Sequence, residues 1–62
     1  MDHRYETYRN EVRRAHPEAK IRPHGATLVA VFVGDEQLGR PFSTPERAWL
    51  DACHIVRANA AS

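Results

Sequence analysis

Cysteine occurs once in this chain, at Cys53, and lysine once, at Lys20. A single cysteine excludes an intrachain disulfide, so a reducing compartment is the natural setting. Glycine is sparse as well. Gly25, Gly34 and Gly39 are scattered singly, and the chain has no glycine-rich phosphate cradle, nucleophile elbow or paired-carboxylate motif. The longest apolar run, Leu28 to Val33, is six residues, far below the ~20 needed to span a bilayer. No charged-then-apolar leader opens the chain. These absences lead to the expectation of a cytoplasmic protein with no membrane attachment, no cofactor and no catalytic residues.

Large apolar side chains are scarce too. Of 26 hydrophobic residues among 62, nine are alanine, which leaves 17 to build a core. A chain this short typically buries only ~60% of the surface that its unfolded form exposes. That excludes a second domain or a large enclosed active site and predicts marginal stability.

Charge of either sign is not in excess: nine basic and eight acidic residues leave a net +1. The first 25 residues carry a balance of +2 and the remainder −1. Eight of the nine cations are arginine, the residue best suited to bidentate contacts with phosphate or carboxylate. Many arginines and alanines beside one lysine also match the composition of a GC-rich bacterial or phage genome.

The residues that are present order themselves into five elements. Tyr5, Tyr8, Val12 and Ala15 recur at helical spacing and predict a helix over Asp2–Ala15, with Asp2 as its N-cap. Pro17 forbids its continuation. Ala19–Pro23 is a short extended candidate, with Ile21 facing inward and Lys20 and Arg22 outward. Ala26–Val33 is rich in β-branched and aromatic residues and predicts a strand. Gly34-Asp35 is a glycine-first hairpin signal, and the return strand runs over Glu36–Phe42. Ser43-Thr44-Pro45-Glu46 starts the last helix, either as a Ser43/Glu46 capping box or with Thr44 as cap and Pro45 at the first helical position. Asn59 is placed to close it, and residues 58–62 are expected to fray.

The predicted fold is therefore a single small α+β domain over residues 1–62. Its order is α-β-β-β-α, or α-β-β-α if the first strand fails, with both helices on one face of an antiparallel meander. A two-residue hairpin loop sets Val33 opposite Glu36, Val31 opposite Leu38 and Val29 opposite Arg40. Val29, Val31, Val33, Leu38 and Phe42 then form the core face. The order is similar to that of double-stranded RNA-binding domains, in topology alone. Where those modules carry lysines at the start of the last helix, this chain has Ser43-Thr44-Pro45-Glu46.

Candidate chemistry is thin. Four histidines and one cysteine show no metal-ligand spacing, so no metal site is expected. Cys53 falls on the apolar side of the last helix and reads as a small core residue. The anomaly lies on the second sheet face, where Leu28, Ala30 and Phe32 stand in place of polar residues. Leu50 also falls among the polar positions of the last helix. An exposed apolar patch of this kind usually marks an interface. Leu28, Ala30, Phe32 and Leu50 are thus the candidate partner-binding residues of a small regulatory protein that associates with a protein partner or with a second copy in a homodimer. The alternative is a nucleic-acid-binding module. It would use Arg4, Arg13, Arg14, Lys20 and Arg22 as a phosphate-tracking edge, with Phe32 stacking a base.

Overall fold

The computed structural model describes residues 4–61, with side chains described for 5–60. Helix α1 (Arg4–Ala15) is followed by strands β1 (Ala19–Pro23), β2 (Val29–Val33) and β3 (Glu36–Phe42), then helix α2 (Pro45–Ala61). The sheet is antiparallel throughout in the order β1-β2-β3. The α-β-β-β-α order with two helices on one face is as the sequence predicts.

Local chemistry accounts for most boundaries. Pro17 ends α1, and the His16–Ala19 turn is closed by the Ala19 N–H donating to the His16 carbonyl at 2.9 Å. Gly34 has φ +64° and no described non-glycine residue is left-handed, which fits a glycine-first two-residue hairpin between Val33 and Glu36. Thr44 caps α2, its Oγ1 accepting a long 3.4 Å hydrogen bond from the Arg47 N–H, with Pro45 as the first helical residue. The Asp2 cap predicted for α1 lies outside the described residues.

Three boundaries or pairings differ from expectation. β2 begins at Val29, not Ala26, because Gly25 (φ +87°) bends the chain and the His24 N–H closes the connection on the Leu28 carbonyl. Asn59 does not end α2, which continues to Ala61. Val29 pairs with Phe42 rather than Arg40: Gly39, Arg40 and Pro41 all stand opposite Ala30, forming a bulge in β3. Gly39 (φ +91°) makes the bend, and Asp51 on α2 holds it by accepting the Arg40 N–H at 2.9 Å.

The core lies between the helices and the sheet face bearing Ala19, Ile21, Val29, Val31, Val33, Leu38 and Phe42. Ala48 and Ala52 are buried on α2 and let that helix approach the sheet closely beside Trp49 and Cys53. The thinnest dimension of the Cα trace is 17 Å. That is room for one sheet and one helix layer, spaced ~10 Å apart as stacked layers are. The other sheet face consequently carries no helix.

Candidate functional site

The open face is built by strand alternation. β1 presents Lys20 and Arg22 to it, and the register sets Lys20 opposite Phe32 and Arg22 opposite Ala30. Two positions along a strand span ~6.7 Å, on the order of the spacing between successive phosphates of an extended nucleic-acid strand. The Arg22 guanidinium carbon lies 5.2 Å from the Phe32 ring centroid, within cation–π range. Neither Lys20 nor Arg22 has an ion-pair partner among the described residues. Beside them opens a groove of about 690 Å³ lined by Pro17, Glu18, Lys20, Arg22, Phe32 and Gly34.

The expected partner-binding residues do not form one patch. Ala30 has no accessible surface, since it sits between Arg22 of β1 and the bulge of β3. Leu50 is half-buried on α2, on the stripe shared with Cys53 and Arg57 that meets α1, in the layer away from Phe32. Leu28 and Phe32, both half-buried, remain on the open side. The predicted cationic edge divides as well. Arg13 is tied down in the helix layer: its Nε donates to the Ala19 carbonyl at 3.2 Å and its guanidinium lies over Trp49 at 5.9 Å. Arg14 is exposed on α1, and the Arg4 side chain lies outside those described. Only Lys20 and Arg22 of that set join Phe32.

A second polar cluster, unforeseen in the sequence, spans α1 and α2. Glu11 accepts hydrogen bonds from Arg57 at 2.6 Å (Nε to Oε2) and 3.1 Å (Nη2 to Oε1), and from the Cys53 thiol at 3.0 Å. The Arg57 guanidinium, then the thiol, holds the Glu11 carboxyl down to about 2. Burial, then the Glu11 carboxylate, pushes the Cys53 thiol up to about 11. A protonated, fully buried thiol is no nucleophile, and this cluster acts as a clamp between the helices.

No family model matches this chain, nor does any curated protein or solved structure. Geometry and charge therefore carry the functional reading. Among the described residues no group of three or more His, Cys, Asp or Glu side chains is placed to hold a metal ion. No described helix is long and apolar enough to cross a membrane.

The clamp makes its own prediction. The folded Glu11 pKa is depressed, so its contribution to stability is full above about 4.5 and is lost as pH falls towards about 2. The folded Cys53 pKa is raised, so the folded state retains a proton that the unfolded state gives up, and stability declines as pH rises from about 9 to about 11. Urea titrations across these windows are expected to show both declines. Glu11→Gln should be less stable at pH 7 and should lose less between pH 4.5 and 2. An unchanged acid limb in that variant would contradict the clamp.

Proposed function

We propose that this protein is a non-enzymatic binding module whose open sheet face takes single-stranded nucleic acid. The observation that carries this reading is the union of Lys20, Arg22 and Phe32 on one face, with both cations free of ion pairs among the described residues. Phosphates suit the two cations, and an aromatic face stacks a base for ~1–3 kcal/mol whatever its identity. Duplex recognition has less support, because the start of α2 offers Glu46 where phosphate contacts would need cations. The charge pattern also favours an anionic partner over a second copy. A symmetric back-to-back dimer would gather two Lys20 and two Arg22 side chains around Phe32, desolvating like charges.

The test is fluorescence anisotropy with a labelled 12-nucleotide single strand over a range of salt. Two phosphate contacts predict a log–log salt slope of about −1.4. Lys20→Ala with Arg22→Ala should bring the slope close to zero. Phe32→Leu, which keeps apolar bulk without a π face, should weaken binding about 5- to 150-fold. Absence of binding at low salt would sink the proposal. So would a mass near twice 7.1 kDa that Phe32→Asp returns to monomer, since that outcome assigns the face to self-association.

A further inference from the structure

We infer that Glu18 is a base-selecting residue, its carboxylate accepting a hydrogen bond from the exocyclic amino group of the base stacked on Phe32. This rests on the nucleic-acid reading above and adds to it a preference for amino-bearing bases over thymine or uracil. Glu18 is the one carboxylate lining a groove whose other charged members are Lys20 and Arg22. It forms no ion pair with either and is exposed, so its charge is uncompensated among the described residues. A carboxylate beside a phosphate path weakens binding through like-charge repulsion unless it meets a donor. The donors a nucleic acid offers are on its bases, and acceptance by Glu of the cytosine N4 amino group is an established pairing.

The backbone holds Glu18 in place. It occupies the third position of the His16–Ala19 turn, closed by the 2.9 Å Ala19-to-His16 hydrogen bond, with Pro17 before it at the position whose φ the pyrrolidine ring sets. With neither Pro17 nor Glu18 at positive φ, the hydrogen-bonded turn is type I rather than type II. Ala19 pairs with Val33, which brings Glu18 to the end of the groove beside Gly34. A Cβ at Gly34 would meet nothing within 4 Å, so that end stays open to a base edge.

Cytosine and thymine test the idea with little change in charge or stacking, because cytosine carries an amino donor where thymine carries a carbonyl acceptor. Anisotropy with 12-nucleotide oligo(dC) and oligo(dT) is expected to show at least about fivefold tighter binding to oligo(dC). Glu18→Ala should equalise the two, by weakening oligo(dC) and tightening oligo(dT). Glu18→Gln, which keeps a carbonyl acceptor, should restore part of the preference. Position 18 is exposed, and far-UV circular dichroism checks that each variant remains folded. Equal wild-type affinities, or a preference that survives Glu18→Ala, would overturn the inference while leaving salt-dependent binding intact. Failure to bind either oligonucleotide would instead remove the nucleic-acid reading itself.

Discussion

Trp49→Ala is expected to give a chain with no cooperative unfolding transition at 25 °C. The fully buried cluster is made of Val12, Ala19, Val31, Ala48, Ala52 and Cys53 around Trp49, which is only 3% exposed. Three of those neighbours are alanines, so the indole supplies an outsized share of the core volume. Truncating a buried tryptophan costs ~3–5 kcal/mol in lost transfer energy and residual cavity. A 62-residue chain has a total stability of ~3–9 kcal/mol. The loss is therefore comparable with everything available, and alanine neighbours cannot move in to fill the space. The Arg13 guanidinium also loses the ring it covers. Urea denaturation followed by far-UV circular dichroism checks this. Trp49→Phe should keep a weakened cooperative transition, and a melt of Trp49→Ala within a few degrees of wild type would refute the account.

Gly39→Ala is expected to be nearly as damaging, although it adds a single methyl group. At φ +91° any L side chain is strained, and its Cβ would lie 2.5 Å from Asp51 Oδ2 and 3.4 Å from Ile55 Cδ1. Asp51 must move, which breaks its hydrogen bond to the Arg40 N–H. The left-handed backbone costs ~1–2 kcal/mol, and a hydrogen bond to a charged group contributes ~1.5–3 kcal/mol. Together that is about 2.5–5 kcal/mol, or a fall in melting temperature on the order of 10–40 °C for a domain of this size. Gly34→Ala is the control. Its φ is +64° but no atom lies within 4 Å of the added Cβ, so only the backbone term of ~1–2 kcal/mol applies. If the two variants melt together, steric conflict at Asp51 is not what the bulge depends on.

Asp51 and Gly39 also illustrate how far the sequence could be read. Asp51 belongs to the polar positions of α2, where nothing local marks it out from a solvated residue. Its partner is a backbone N–H exposed by the bulge 11 residues earlier. Gly39 and Pro41 within a predicted strand are signals of a bulge, but they do not say how many residues it takes up. Two extra residues keep the facing parity, so the core face was correctly placed while Val29 was paired with the wrong residue. Glu11 and Arg57 lie 46 residues apart, and no local pattern links them. Lys20, Arg22 and Phe32 all belong to the nucleic-acid alternative read from the sequence, with Phe32 also among the candidate partner-binding residues. Only the β1–β2 register, with Lys20 opposite Phe32, makes them one face.

The groove shows the same division. Pro17-Glu18 signals a turn, but that Glu18 ends up beside Gly34 follows from the pairing of Ala19 with Val33. Leu28 to Val33 is an uncharged run of high β-propensity, an aggregation hazard wherever its edges are bare. As the central strand its two edges are both hydrogen-bonded, and the Arg22 guanidinium carbon lies 5.2 Å from the Phe32 ring centroid.

What the sequence determined by itself is whatever short-range forces decide. These are the helical stripe of α1, the stop at Pro17, the Gly34-Asp35 hairpin, the Thr44-Pro45 start of α2 and the inward face of the strands. Each depends on backbone preferences or on periodicity within a few residues. Only the tertiary structure decided which face stays uncovered, that Ala30 is closed off within it, that Arg13 is tied to the core, and that Glu11 clamps Arg57. Those outcomes depend on the relative placement of segments distant in the chain, which is set by packing a scarce core around Trp49 and by a bulge whose size no local preference specifies.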